Sequence, residues 1–220
     1  MRSSQGRTDV TTIYLVRHGQ TAWNKEEIFR GRADIPLNET GRKEALLAGR
    51  YLRGVEVISV YSSPLSRAFE TAEIIAQHQG KEVQALDGLI DIDFGQWQGV
   101  SREEVKRRYG ELYRQWKDTP HLVRFPEGEG LEDVRKRALR AIHETVQDHA
   151  AETLVMVSHR VVNKIVICGL LGLDNSHFWQ IGQDTCCINI LEFGEGFTLR
   201  RLNDTSHLVP VGEERIRIDF

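Results

Sequence analysis

The sequence predicts an α/β protein, a three-layer sandwich in which helices cover both faces of a mostly parallel sheet with an antiparallel edge strand. Short runs rich in β-branched and apolar residues alternate along the chain with longer segments that repeat apolar residues at helical spacing. Such alternation is typical of parallel sheets covered on both faces. The last two short runs are joined by "GEGF" (194–197), which indicates a hairpin and therefore an antiparallel edge.

The strands are predicted from runs that are rich in valine, isoleucine and other residues common in strands. These runs lie at 11–16, 57–62, 153–158, 188–193 and 198–202. In folds of this class, ligands bind beyond the carboxyl ends of the strands. Those ends are therefore the places to examine for a functional site.

The helices are predicted from apolar periodicity and from capping residues. The first follows "PLNETG" and runs to about residue 53, with Asn38 or Thr40 as its N-cap. Another begins near Ser66, and the last covers 161–171. The clearest helix lies at 131–149, where one face is apolar: Leu131, Val134, Ala138, Ile142 and Val146.

The chain is predicted to form one domain, because no repeat, low-complexity tract or linker interrupts it. We expect residues 1–10 to be a disordered lead-in and residues 11–220 to be the domain. Within it, a helical insertion at about 100–127 is expected to lie outside the sheet. Residues from about 203 to 220 are expected to form a C-terminal tail that could fold across the mouth of a pocket.

The composition argues against some classes of partner. The formal net charge is −3, which gives no general attraction to nucleic acid or to an anionic membrane. No apolar run is long enough to span a bilayer, and residues 1–10 lack the apolar core of a signal peptide. We therefore expect no nucleic-acid or membrane partner, and any bound anion must be held by locally clustered basic side chains.

The cysteines predict neither a disulfide framework nor a zinc site. They are Cys168, Cys186 and Cys187, an odd number with one adjacent pair and no Cys-x-x-Cys spacing. The stretch "CCINILEF" alternates like a strand, so buried free thiols are expected. We expect a cytoplasmic protein that holds no metal.

Basic side chains stand at the carboxyl ends of the predicted strands. Arg17 and His18 end the first strand, Arg67 follows the second in the first turns of a helix, and His159 follows 153–158. The planar fork of arginine suits a tetrahedral phosphate, because it donates two hydrogen bonds in a fixed geometry. A helix start adds free backbone N–H groups. Together these residues indicate a phosphate site at one edge of the sheet.

Two carboxylates are available near this edge, in the stretch "LIDIDFGQWQG" (89–99). A period of two places Asp91 and Asp93 on one side of an extended chain and Ile92 on the other. A carboxyl group beside a phosphate can give a proton to a leaving alkoxide and later take one from an attacking water. Either aspartate is a candidate for this exchange.

The chain resembles the histidine phosphatase superfamily, in its phosphoglycerate-mutase-like branch. The resemblance runs over roughly residues 11–193, with the family's motifs in the same order and at similar spacing. They are "RHGQTAWN", "RGRADIPLNETGRKEA", "VYSSPLSRAFETA", "DIDFGQWQG", "EGEGLEDVRKRA" and "VSH". The resemblance implies a phosphoglycerate-mutase-like fold. Within this family, the sequence most resembles metal-independent phosphoserine phosphatases and α-ribazole phosphatases.

The resemblance also implies roles for the residues at the strand ends. His18 would be the nucleophile that forms a phosphohistidine. Arg17, Arg67 and His159 would hold the non-bridging oxygens. Asn24 would add a hydrogen bond to the same phosphoryl group. No metal or other cofactor is implied, because these side chains supply the positive charge.

Further roles follow from the same resemblance. Gln20 and Thr21 would line the entrance or hold the loop. The family's acid position falls on Asp91, although that acid is more often a glutamate, and Asp93 stays an alternative. Arg160, where relatives commonly have glycine, would reach an acidic group of the substrate or be solvated. His207 would contact the substrate or pack at the surface.

The function that the resemblance implies is hydrolysis of small phosphomonoesters, with phosphoserine as the first substrate and α-ribazole phosphate as an alternative. A phosphomutase is the other enzymatic possibility, but mutases of this family carry a basic residue directly after the catalytic acid. Here Ile92 occupies that position and Asp93 follows it. A phospho-ligand-binding protein is the non-enzymatic alternative. We expect a small-molecule phosphomonoester as the partner and a possible homodimer.

Overall fold

A six-stranded sheet organises the computed structural model, which describes residues 10–208. The strands are β1 (Thr11–Arg17), β2 (Ser59–Ser62), β3 (Val83–Ala85), β4 (Thr153–Ser158), β5 (Ile188–Phe193) and β6 (Phe197–Asp204). Their order across the sheet is β3-β2-β4-β1-β5-β6. β1 to β4 pair in parallel, whereas β5 pairs antiparallel with both β1 and β6. The mostly parallel sheet is confirmed, and its antiparallel part is two strands wide.

Seven α-helices occur among the described residues. They are α1 (Ala22–Lys25), α2 (Glu39–Leu52), α3 (Ser66–Gln77), α4 (Arg102–Arg108), α5 (Gly110–Asp118), α6 (Leu131–Asp148) and α7 (Arg160–Leu170). α2 begins where Asn38 caps it, with Asn38 Oδ1 accepting a hydrogen bond from Gly41 N at 2.8 Å. Of the two caps expected from the sequence, Asn38 is therefore the correct one. Within residues 10–208, none of the helices combines the length and apolar character needed to cross a membrane.

Helices cover both faces of the sheet and bury two separate apolar layers. On one face, β1 and β4 pack with α6 and α7 through these residues: Ile13, Leu15, Leu154, Met156, Val134, Ile142, Val162 and Ile165. On the other face, the sheet packs with α2 and α3 through these residues: Val16, Val60, Val155, Val157, Ala48, Leu52, Ala72 and Ile75. Burying a valine, leucine or isoleucine side chain stabilises a fold by about 1.5–3 kcal/mol. The sheet is therefore covered by helices on both faces, which is the three-layer sandwich predicted from the sequence.

The helical insertion expected at about 100–127 contains α4, α5 and a short 3-10 turn at Pro120–Leu122. It packs against the molecule through an aromatic cluster in which Trp97 and Trp116 are fully buried. Phe125 contacts both rings, with centroid distances of 4.9 and 5.2 Å. These rings belong to the same apolar layer that packs β1 and β4 against α6 and α7, so the insertion is fixed to the domain by that layer.

The cysteines are buried and free, as the sequence indicates. Burial raises the pKa of the Cys168 and Cys186 thiols, and it raises that of Cys187 to about 12. These thiols are therefore protonated and unreactive near neutral pH.

Two regions of the sequence predictions fall outside the described residues. They are almost all of the lead-in (1–10) and most of the tail (203–220). The tail's described part is the end of β6 and a 3-10 turn at Ser206–Leu208. The structure also contains β3, which the sequence patterns did not predict.

Candidate active site

The site lies at the carboxyl ends of β1 and β4. Arg17 is the register partner of Ser158, so the two strands end level with each other. The residues that follow, His18 and His159, therefore emerge side by side. Their ring centroids are 5.2 Å apart, and both side chains are buried.

His18 is held as a neutral imidazole with a defined tautomer. Its Nδ1 lies 2.7 Å from the Gly19 carbonyl oxygen. Because a carbonyl only accepts hydrogen bonds, Nδ1 carries the proton and Nε2 keeps its lone pair. Burial, followed by the charges of Arg67, Arg17 and Arg30, lowers the pKa of His18 well below its usual value.

The loop that carries His18 is seated against the start of α2. A Cβ atom added to Gly19 would lie 2.5 Å from the Gly41 carbonyl oxygen, so the two backbones meet in a contact that only glycine permits. Gln20 N donates to Glu44 Oε2 at 2.8 Å, and the Gln20 carbonyl accepts from Asn38 N at 3.0 Å. The loop backbone is therefore positioned by a close contact with Gly41 and by hydrogen bonds to the N-cap residue and to a side chain of α2.

Two buried arginines flank the histidines and keep donors available. Arg17 donates from Nη1 to the Gln183 carbonyl at 2.5 Å. Arg67 donates to the carbonyl oxygens of Ala33 and Gly31 at 2.9 and 2.7 Å. The Nε atoms of both arginines are buried and have no hydrogen-bond partner among residues 10–208. Each guanidinium can therefore still donate to an anion.

Asp91 lies inside the site, whereas Asp93 points away from it. Asp91 Oδ2 is 3.1 Å from Arg67 Nη2 and 3.6 Å from His159 Nδ1. Asp93 Oδ1 instead accepts from Gly95 N at 2.8 Å. The expectation that both carboxylates share one side is wrong, because residues 91–94 do not form a strand and Asp93 closes the turn that follows.

Asn24 presents an amide donor to the interior, and its neighbours hold the loop. Its Oδ1 accepts from the backbone N–H and the hydroxyl of Thr21, at 2.8 and 2.9 Å. Its Nδ2 is buried and has no partner among the described residues. Gln20 Oε1 accepts from Asn38 Nδ2 at 2.9 Å. The sequence analysis expected Gln20 and Thr21 either to line the entrance or to hold the loop, and these contacts are those of residues that hold the loop.

The structure places Arg160 and His207 differently. Arg160 is buried, lines the pocket and has its guanidinium carbon 5.9 Å from the centroid of the Trp179 ring. His207 lies outside the pocket, where its Nε2 is 3.1 Å from the Cys186 carbonyl oxygen and its ring packs against Tyr51. Contact between His207 and a substrate is therefore not supported by its position, because its ring is buried against α2.

The pocket is small, with about 350 Å³ of empty space that includes open solvent at its mouth. Its lining combines charged and apolar side chains. It is lined by His18, Ile28, Phe29, Arg30, Gly31, Asp91, Phe94, Arg160 and Val161. Within residues 10–208, no cluster of three or more His, Cys, Asp or Glu residues is arranged to hold a metal ion.

The sequence patterns did not identify Arg30. This arginine is 8% exposed and lines the pocket beside Gly31, whose carbonyl binds Arg67. It falls within the quoted stretch "RGRAD", but no spacing rule singles it out. Only the packing of the loop between α1 and α2 brings its side chain to the site.

The sequence patterns also did not identify the pair of Glu129 and Arg137, which supports the segment that carries Asp91. Arg137 donates from Nη1 to the carbonyls of Gly88 and Ile90 at 2.9 and 2.6 Å, and from Nη2 to that of Asp91 at 3.1 Å. Glu129 accepts from Arg137 Nε at 3.1 Å and from Asp93 N at 2.9 Å. The pair therefore fixes the backbone on both sides of the Asp91 carboxylate.

Comparison with known proteins places this geometry in a family. Residues 13–205 match the histidine phosphatase superfamily (branch 1). Phosphoserine phosphatase 1 of Hydrogenobacter thermophilus is 38% identical over 197 residues, which are 89% of this chain and 93% of that protein. The structure of Bacillus stearothermophilus YhfR superposes with a TM-score of 0.87 and 34% identity, covering 90% of this chain and 99% of that one. A mutant phosphoserine phosphatase from Entamoeba histolytica, in complex with phosphoserine, gives 0.82 and 28%, covering 90% and 99%.

The chain therefore belongs to the histidine phosphatase superfamily. Within that superfamily, it is a phosphomonoester hydrolase. The resemblance stated from the sequence motifs is confirmed by the family match and by the relatives.

Proposed function

We propose that the protein hydrolyses small phosphomonoesters through a phosphohistidine on His18, and that phosphoserine is among its substrates. The observation that carries this proposal is the state of His18. The imidazole is neutral, and its Nε2 lone pair is left free by the Nδ1 contact with Gly19. A neutral imidazole beside two arginines is suited to attack an anionic phosphorus centre.

In the first step, the Nε2 lone pair attacks phosphorus as the P–O bond to the leaving group breaks. The electron pair of that bond goes to the alkoxide oxygen, which takes a proton from the carboxyl group of Asp91. In the second step, a water molecule gives a proton to the Asp91 carboxylate and attacks the phosphohistidine. Inorganic phosphate leaves, and His18 returns to its neutral form.

The neighbouring side chains would stabilise charge as it develops on the non-bridging oxygens. Arg17 and Arg67 supply charged donors, Asn24 supplies an amide donor, and His159 lies beside His18. Donors that are already in place need no reorganisation during the reaction, which is the main source of their effect. We propose that these side chains replace the metal ion that other phosphatases use.

Water is the proposed acceptor, rather than a second hydroxyl as in a mutase. Ile92, at the position after the proposed acid, is fully buried, and Asp93 faces Arg32 at 3.8 Å outside the pocket. Neither residue provides the additional basic contact that a mutase uses for a doubly anionic substrate. Phosphoserine is supported as a substrate by the names of the relatives, and α-ribazole phosphate is an alternative.

The experiment is to measure phosphate release in excess EDTA from phosphoserine, 3-phosphoglycerate, α-ribazole phosphate and an aryl phosphate. His18→Ala is compared with the parent protein, and His143→Ala, which removes an exposed histidine on α6, is the matched control. We expect turnover to persist in EDTA, to be lost in His18→Ala and to be unchanged in His143→Ala. If none of the four esters releases phosphate, hydrolysis of small phosphomonoesters is wrong for this chain, and transfer or binding must be tested instead.

A further inference from the structure

Arg30 carries a charge that the proposed reaction does not use. Its Nη1 donates to the Trp23 carbonyl at 3.2 Å, which holds the side chain in the pocket wall. Its Nε is buried and has no hydrogen-bond partner among residues 10–208. The side chain is more than nine-tenths buried, yet it lines the same pocket as His18.

Among residues 10–208, no acidic side chain forms an ion pair with this guanidinium, although the charge of Asp91 acts on it. Asp91 is the only carboxylate within residues 10–208 that lines the pocket, and it is already paired with Arg67 at 3.1 Å. Burial, followed by the like charges of Arg17, Arg160 and Arg67, lowers the pKa of Arg30. Because arginine keeps its charge in proteins, the pocket has an excess of positive charge that an entering anion would balance.

Arg30 reaches the pocket from a different segment of the chain than the groups proposed to hold the phosphoryl oxygens. Those groups lie at the ends of β1 and β4, at the start of α3 and on α1. Arg30 instead belongs to the loop after α1, on a wall with Ile28 and Phe29 and with Val161 of α7. A substrate whose phosphate reaches His18 would therefore present its remaining atoms to Arg30.

We propose that Arg30 is a specificity residue that binds a carboxylate of the substrate, a few bonds away from the phosphate ester. A single guanidinium fork matches the two oxygens of a carboxylate, and the small pocket leaves room for a compact group only. The inference rests on the proposed function, because the phosphoryl group must occupy the His18 end of the pocket. It assigns the preference for acidic esters to one residue of this chain.

Binding to the His18→Ala protein tests the inference without turnover. The ligands are 3-phosphoglycerate and glycerol 3-phosphate, which differ in having a carboxylate or a hydroxymethyl group, and affinities are measured by calorimetry. We expect 3-phosphoglycerate to bind about tenfold to a hundredfold more tightly, the range that one charge-assisted hydrogen bond provides. Equal affinities would overturn the proposal.

Variants then assign the preference to Arg30. In His18→Ala/Arg30→Gln, the preference should shrink to about twofold, with 3-phosphoglycerate weakened and glycerol 3-phosphate almost unchanged. Arg30→Lys in the same background should keep part of it, because the charge stays and the fork is lost. The matched control is Arg200→Gln, which removes an exposed arginine of β6 that pairs with Glu192 at 2.6 Å. This control should leave both affinities unchanged.

Other outcomes separate this inference from the proposed function. If Arg30→Gln weakens both ligands equally, Arg30 binds the phosphoryl group and the inference is wrong. If Arg30→Gln does not fold, the inference is judged from two other results. These are the affinities of Arg30→Lys and the preference of His18→Ala for 3-phosphoglycerate over glycerol 3-phosphate. If the parent protein releases no phosphate but the binding preference depends on Arg30, the hydrolase proposal fails and the carboxylate site stands.

Discussion

At His18, the backbone and the neighbouring side chains act on different properties of one imidazole. The Gly19 carbonyl selects the tautomer, whereas burial and the adjacent arginines keep the ring neutral. A histidine alone titrates near neutral pH and interconverts between tautomers. The nucleophile is therefore prepared by its surroundings before any substrate arrives.

Asp91→Asn should separate the proton donor from its neighbour. Because an alkoxide needs a proton to leave, we expect kcat for phosphoserine to fall by about 10²–10⁴-fold. For an aryl phosphate, whose leaving group needs little protonation, the loss should be much smaller. Both values come from steady-state phosphate release.

The matched control for that prediction is Asp93→Asn. Asp93 accepts a hydrogen bond from Gly95 N outside the pocket, so its loss should change kcat for phosphoserine far less. A larger loss in Asp93→Asn than in Asp91→Asn would reverse the assignment of the proton donor.

The residues of the site differ in how far the sequence could predict them. His18, Arg17, Arg67 and His159 stand at strand ends or in the first turn of a helix, so the topology alone brings them together. Arg30 lies in an irregular loop, where no periodicity relates its position in the sequence to a direction in space. Its place in the pocket depends on the packing of Ile28 and Phe29, which only the folded chain reveals.

Among the elements, the segment from Gly88 to Asp93 depends on a helix far along the chain. Arg137 of α6 binds three of its carbonyl groups, and Glu129 binds both Arg137 and the backbone of Asp93. The segment has no strand partner of its own in this region. Side-chain contacts therefore replace the backbone ladder that would fix a strand.

Arg137→Gln should act through Asp91. Loss of the carbonyl contacts would let the Asp91 segment shift, and displacement of a catalytic group by about 1 Å can cost on the order of 10²-fold. We expect kcat for phosphoserine to fall by about tenfold to a hundredfold, with KM less affected. In an Asp91→Asn background, the same substitution should cost little more, because the group that it positions is already lost.

Arg135→Gln is the control for Arg137→Gln on the same helix. Arg135 instead donates to the Leu173 carbonyl at 2.7 Å and to Asn175 Oδ1 at 3.2 Å. If both substitutions lower kcat equally, or if Arg137→Gln and Asp91→Asn are additive, Arg137 has no positioning role.

Helices and strands were predicted most accurately where their apolar pattern extends over many residues. α6 has a continuous apolar face over Leu131–Asp148, and its bounds agree with the sequence to within a residue. β3 has only the three residues Val83–Ala85, too few for alternation to be recognised. The prediction that residues 91–93 are extended was wrong. Their residues alternate as in a strand, but the segment has no neighbouring strand to pair with.

For the whole molecule, the net charge conceals the charge of the site. The chain has 29 Lys and Arg against 32 Asp and Glu, a slight excess of negative charge. The pocket nevertheless is lined by Arg30 and Arg160, and Asp91 is the one carboxylate that lines it in the part of the chain that the structure describes. A count over the sequence cannot show this separation, because it depends on which side chains the fold turns inward.

The stability of the molecule should fall in mild acid because of two buried histidines. Burial, followed by the charge of Arg67, lowers the pKa of both His18 and His159. The unfolded chain therefore binds more protons below its histidine pKa of about 6.5, and the free energy of unfolding falls as the pH drops from there toward the folded pKa values. Each histidine contributes a slope of at most about 1.4 kcal/mol per pH unit.

Urea denaturation at pH 7.5, 6.5 and 5.5 checks this expectation. His18→Asn keeps a donor for the Gly19 carbonyl and removes one titrating group, so its stability should depend less steeply on pH than that of the parent. Parallel pH profiles for the two proteins would contradict a lowered pKa at His18.

The buried thiols have a practical consequence for work with this protein. All three cysteines are buried, and their raised pKa values leave almost no thiolate at neutral pH. A maleimide dye should therefore not label the folded parent protein. A cysteine placed at Leu122, whose side chain is 71% exposed, would carry the dye alone and allow single-site fluorescence without first removing the native thiols.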